Sequence, residues 1–121
     1  MWDLLDSDDP GYLADLKRIA KHHAPEIEVL FSRLDQLLIC LNSGMPLPIA
    51  LQRGWVHQKY KHGMKSIDSG GGKGKPSLRL YILPSQQFNV VAILGVGLKA
   101  DESKAIKRAY SMLDEVLREL E

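Results

Sequence analysis

Residues 78–99 read LRLYILPSQQFNVVAILGVGLK, and the reading of this stretch decides the fold. Two runs rich in Leu, Ile, Val and Tyr flank the link Pro84-Ser85-Gln86-Gln87. β-Branched and aromatic residues suit a pleated surface, and a short polar link between two such runs predicts a hairpin. In the first run Leu78, Leu80 and Ile82 point to one side, and Arg79, Tyr81 and Leu83 to the other. The second run, VVAILGV, is apolar on both faces and reads as an inner strand covered on both sides. The hairpin therefore belongs at the centre of a sheet that needs helices to cover it.

The flanking sequence supplies them. Upstream, Asp8-Asp9-Pro10 predicts a helix start, because an acid can cap free N–H groups and proline suits the first turn. Tyr12, Leu13, Leu16, Ile19 and Ala20 then recur at helical spacing until His22-His23-Ala24-Pro25 breaks the helix. Adjacent histidines point in different directions on a helix and make a poor metal pair. A second helix carries the stripe Ile27, Leu30, Phe31, Leu34, Leu37, Leu38 and Leu41, and Asn42-Ser43-Gly44 ends it. Downstream, Ile106, Ala109, Tyr110, Leu113, Val116, Leu117 and Leu120 form the stripe of a last helix. Asp101 and Glu102 lie near its start, where they suit the helix dipole. Trp2 to Leu5 reads either as a short edge strand or as a tail that packs.

Residues 51–65, LQRGWVHQKYKHGMK, are a further strand candidate, with His57, Lys59 and Lys61 on one face by period two. Residues 66–76 follow as a glycine-rich basic loop that does not match a phosphate-binding GxxxxGK[ST] pattern. The predicted order is (β)ααβββα, an α+β domain in which a helical hairpin and a C-terminal helix pack on a small antiparallel sheet.

At 121 residues the chain fits one domain with one core. Its 45% apolar and 26% charged content is ordinary for a soluble globular protein. No apolar run is long enough for a membrane span, the start lacks the marks of a signal peptide, and Cys40 has no partner for an internal disulfide. The expectation is a cytoplasmic protein, with Cys40 a buried small hydrophobe. The net charge of +1 hides a strong asymmetry. Residues 1–50 carry four bases against eight acids, 51–88 seven bases against the single acid Asp68, and 89–121 five against six. A cationic block of this kind attracts phosphates or an acidic partner.

Several joined features resemble the RelE/ParE toxin superfamily of bacterial toxin–antitoxin modules, including its phage-derived and HigB-like branches. They are the GYLADLKRI segment opening a helical hairpin, the PLP turn leading to HQKYK, the arginine-bearing LRLYI, ILGVGLK ending in a cation, and the closing KAIKRA helix. The resemblance implies a ribosome-dependent mRNA endonuclease without cofactor or metal. The 2′-hydroxyl attacks the neighbouring phosphodiester, and cations offset the charge on phosphorus. It also implies a cognate antitoxin protein as partner. Carried over by position, Arg79 matches the sheet arginine, Lys99 the cation after the last strand, and Lys59 and Lys61 the paired basic residues. His57 joins them as a catalytic candidate because histidine titrates in the range for acid–base work. Lys65, Lys73, Lys75 and His62 are the candidates for RNA binding.

Two alternatives stand beside this reading. One is a non-catalytic binder on the same scaffold, either a DNA gyrase inhibitor of the ParE kind or an inactive phage-derived copy. The zone Lys99–Ala105, which lacks the tyrosine or histidine of many RelE-branch enzymes, and the nearly neutral net charge point that way. The other is a small interaction domain whose basic face binds nucleic acid or an acidic protein.

Overall fold

The computed structural model describes residues 1–72 and 74–121; Lys73, an RNA-binding candidate, lies outside the described residues. The elements in chain order are β1 (Asp3–Leu5), α1 (Pro10–Asn42), α2 (Leu47–Ala50), β2 (Val56–His57), β3 (Lys65–Asp68), β4 (Leu78–Ser85), β5 (Val90–Leu98) and α3 (Glu102–Leu120), with a 3₁₀ turn at Lys99–Asp101 before α3. The strands form one sheet in the order β1-β5-β4-β3-β2. The α+β class expected from the sequence is the class observed. Pairing is antiparallel from β2 to β5, and β1 joins the far edge parallel to β5, so the sheet is mixed.

The β4–β5 hairpin is registered from Leu78↔Leu98 to Ser85↔Val90. Pro84 sits beyond the last β3 pair, Lys65↔Ile82, where no third strand needs its missing N–H. One bulge matters to the rest of the fold. Tyr81 pairs with Gly95 and Ile82 with Ile93, so Leu94 is an extra residue on β5. The extra residue switches the parity of the strand. Val91, Ile93 and Val96 thereby share the face of Leu78, Leu80 and Ile82, while Ala92 and Leu94 share that of Tyr81 and Leu83.

Helix α1 covers the first of these faces. At His23 the backbone leaves the helical region (φ −136°, ψ 40°), with Pro25 just after it. A straight 33-residue helix would span about 50 Å, yet its ends return to the same end of the sheet. His23 lies beside Ser77, Leu98 and Lys99, at the far end of β5. Asn42 is bonded in both directions to Trp2, next to the start of β5 (Trp2 N–H to Asn42 Oδ1, 2.6 Å; Asn42 Nδ2 to the Trp2 carbonyl, 3.1 Å). The element is therefore a helical hairpin folded at His23, as its sequence predicts. Its first limb is capped by Asp9, whose Oδ2 accepts the Tyr12 N–H at 3.0 Å. Its second limb buries Leu30, Leu34, Leu37 and Leu41 on the sheet. Each such leucine contributes roughly 2 kcal/mol of hydrophobic stabilisation.

Helix α3 covers the opposite face through Ala105, Ala109, Leu113 and Val116. Small residues meet small residues there, since Gly95 and Gly97 of β5 lie beneath Ala109 and Ala105. Leu117, expected on the stripe, is 36% exposed, and Ala105 takes a buried place instead.

The chain departs from expectation between β2 and β4. Residues 51–65 are not one strand. Only Val56 and His57 pair, and the chain then turns back at His62 (φ 59°) and Gly63 (φ 81°) before β3 begins. These left-handed conformations are incompatible with a continuous strand. Lys59 and Lys61 therefore lie in a turn, and the alternation of His57, Lys59 and Lys61 does not describe a strand face. Ser66, Ile67 and Asp68, expected in the loop, are part of β3. No helix among the described residues is long and apolar enough to cross a membrane.

Candidate functional site

Asp68 is the single acid of the basic block, and polar groups converge on it from three elements. It closes β3 opposite Arg79 of β4. On the β2 side, His57 pairs with Ser66, which places the imidazole on the same face as Asp68. His57 Nε2 and Asp68 Oδ2 are 2.6 Å apart. Arg33, from the second limb of α1, donates through Nη1 to the Asp68 carbonyl at 2.6 Å and to Oδ1 at 3.0 Å. The Gly70 N–H also donates to Oδ1, at 2.7 Å. Arg79 Nη1 stands 3.7 Å from Oδ2, an ion pair too long for a hydrogen bond. Burial pushes the Asp68 carboxyl upward, but the bonds from His57 and Gly70 and the charges of His57 and Arg79 outweigh it. The net result holds its pKa below the ordinary carboxylate value, so Asp68 is ionised at neutral pH.

Arg79 is only 6% exposed. This corrects its expected place on an open cationic face: α3 packs over β5 on this side, and the 58–64 turn folds in beside it. Among the described residues its Nε and Nη1 have no hydrogen-bond partner, and neither does the hydroxyl of Tyr81, next along the same face. Unpaired polar groups in such a place are costly. Tyr60 comes from the turn, bonds Ser66 Oγ at 2.8 Å and meets Tyr81 edge to face at 5.9 Å. Burial raises the pKa of both phenols, with Glu102 adding to the effect and Arg79 opposing it.

The turn itself is tied to α3. The Lys61 N–H donates to Tyr110 Oη at 2.8 Å, the His62 ring lies edge-on to Tyr110, and Lys59 Nζ stands 4.0 Å from Glu102 Oε1. Lys59, Lys61 and His62 are exposed, so the turn that follows His57 in the chain presents three basic or titratable groups to solvent. Tyr110, expected only as part of an apolar stripe, supplies the polar contact that fixes it.

Of the sequence-derived candidates, then, the fold brings His57 and Arg79 together at Asp68, with Lys59, Lys61 and His62 in the turn that follows His57, tied to α3. It does not bring the others. Lys99 is exposed at the start of the 3₁₀ turn, its N–H bonded to the Ser77 carbonyl. Lys65 pairs with Ile82 and so stands on the α1 side of the sheet. Lys75 is exposed in the loop after β3, bridged to Gly72. The four cations Lys59, Lys61, Arg79 and Lys99 thus do not form one open surface.

Arg33, Tyr60 and Asp68 were not among the candidates. For Asp68 a signal existed, because a lone acid among seven bases is where charge compensation must concentrate. Trp55 adds a second feature, with the guanidinium carbons of Arg33 and Arg53 each 5.6 Å from its ring centroid. Arg53 Nη2 also meets Cys40 Sγ at 2.6 Å, so Cys40 has a polar neighbour and is half-buried.

Comparison with protein-family models, with curated proteins and with solved structures finds no match for this chain.

Proposed function

We propose that the chain is a toxin of the toxin–antitoxin kind that cleaves mRNA on the ribosome. The observation that carries the reading is the His57–Asp68 contact at 2.6 Å, flanked by Arg33 and Arg79 and adjoining the basic turn. Cleavage by a 2′-hydroxyl needs a group to take its proton, and an imidazole beside a carboxylate suits that task. It also needs positive charge near phosphorus, and arginines held by the fold meet that need without reorganising. Lys59, Lys61 and His62 would steer the RNA backbone towards His57. The expected partner is an antitoxin protein that covers this surface.

The test is expression without a partner. Growth arrest is expected, with primer extension showing cut transcripts, and His57→Gln is expected to abolish both while the protein remains folded. Persistent cleavage in that variant would refute the site.

A second reading is favoured by one observation, the burial of Arg79. A charge so enclosed suits a structural role, and the exposed turn alone would then act as a non-catalytic binder of DNA gyrase or another target. Arrest with intact transcripts is the outcome expected from a gyrase inhibitor.

A further inference from the structure

The chemistry of the His57–Asp68 contact determines which imidazole nitrogen is available. An ionised carboxylate accepts hydrogen bonds and has no proton to give. The nitrogen 2.6 Å from Asp68 Oδ2 is Nε2, so Nε2 carries the proton in that contact. In a neutral imidazole the other nitrogen, Nδ1, then holds the free lone pair. Among the described residues Nδ1 has no hydrogen-bond partner, and it is not one of the enclosed unpaired atoms. The ring is 30% exposed, whereas Asp68 is 15% exposed and held on its other oxygen by Arg33 and the Gly70 N–H. The carboxylate is thus fixed from behind, and the ring is fixed by the carboxylate.

We infer that Asp68 is a positioning residue that locks His57 as the Nε2–H tautomer and presents Nδ1 as the proton acceptor. Its catalytic part rests on the nuclease reading above. In that reaction the RNA 2′-oxygen bonds to phosphorus as its proton passes to Nδ1. The bond from phosphorus to the 5′-oxygen breaks, and that oxygen takes a proton from water. The hydroxide so formed is neutralised by the proton on the imidazolium, which restores the base and leaves a 2′,3′-cyclic phosphate and a 5′-hydroxyl. Arg79 and Arg33 do not move a proton. They hold the carboxylate and keep the positive potential high where the phosphate arrives. An analogous exchange of carboxylate for amide behind a catalytic histidine costs about 10⁴-fold in the serine-protease triad, because the wrong tautomer results.

The experiment is nitrogen-15 NMR of the imidazole rings at mildly alkaline pH, on the wild type and on Asp68→Asn, together with cleavage assays on a ribosome-bound transcript. The expected wild-type spectrum has the Nε2–H tautomer of His57 dominant. In Asp68→Asn that dominance is lost and cleavage falls by at least about 100-fold, the low end for loss of general acid–base catalysis. A wild-type His57 that is chiefly Nδ1–H overturns the inference without any variant being needed, so poor folding of Asp68→Asn does not shield it. A cleaving wild type whose Asp68→Asn variant is folded and fully active overturns the positioning role and leaves the nuclease reading standing. A wild type that shows the expected tautomer but cuts no RNA has the reverse effect: it supports the assignment of the nitrogens and overturns the nuclease.

Discussion

Gly97 on β5 and Ala105 on α3 approach so closely that a Cβ added to the glycine would sit 2.8 Å from the alanine Cβ. Real carbon atoms do not tolerate that separation, and neither atom belongs to a side chain that can swing aside. The contact sets how near α3 lies to the sheet at Gly97, the residue that pairs with Arg79 across the hairpin.

Gly97→Ala is therefore expected to destabilise the protein by about 1–3 kcal/mol, the usual range for overpacking, even though alanine is otherwise the better strand residue. Gly54→Ala has nothing within 4 Å of the new Cβ and is expected to change stability by no more than about 0.5 kcal/mol. Urea unfolding of the two variants beside the wild type measures the difference. Equal midpoints for both would mean that α3 does not sit as close as the two small residues allow.

Asp68 makes the fold sensitive to acid. Its pKa is lower folded than the ordinary 3.8, so its stabilising contribution is complete above that value. It is lost as the pH falls from there through the folded-state pKa. The Arg33, Arg79 and His57 groups that face it then confront an uncharged carboxyl. Asp68→Ala is expected to cost on the order of 3 kcal/mol at neutral pH, because removing one partner leaves buried charge uncompensated. The same variant should lose stability less steeply than the wild type as the pH falls across that window. Parallel acid titrations followed by circular dichroism test both statements.

How much of this was legible beforehand depended on the range of the interactions. The hairpin, the two limbs of α1 and α3 were written in local periodicity, and the break at His22–Pro25 was visible in the breaker residues themselves. The bulge at Leu94 was not, because Gly95 reads as one more small residue until its partner on β4 is known. The 51–65 strand failed because its apparent alternation is interrupted by His62 and Gly63, whose positive φ angles depend on the whole turn. Arg79 was rightly placed on a strand, but its burial depends on elements distant in the chain and is not written in its neighbours. His57 was identified as an acid–base candidate by residue type alone. Its partner Asp68 was placed in a loop by its glycine-rich surroundings.

Tyr110 predicts a local effect with a local readout. Its hydroxyl oxygen accepts the Lys61 N–H at 2.8 Å and ties the basic turn to α3. Tyr110→Phe is expected to cost about 0.5–1.5 kcal/mol and to speed hydrogen exchange of the Lys61 amide. The amide of Leu80, in the central strand, should exchange as slowly as before once the global change is subtracted. A Lys61 amide that exchanges at the same rate in both proteins would show that another acceptor holds the turn.

At the alkaline end the sensitive group is Tyr12. Burial first, and then the charge of Asp6, push its pKa from 10.0 to about 12. A group whose folded value is raised stabilises the fold fully below its unfolded pKa, and that contribution is lost as the pH rises towards the folded value. Between pH 10 and about 12 the unfolded chain has released the phenolic proton while the folded chain still holds it. Stability therefore falls across this window. Tyr12→Phe has no proton to release and is expected to show a flatter decline there, at little cost near neutral pH because the ring stays in place. Urea midpoints measured at several alkaline pH values, with phenolate absorbance followed in the wild type, provide the check. A variant whose midpoint declines as steeply as the wild type would assign the alkaline loss to other groups, Tyr81 first among them, since burial raises it in the same direction.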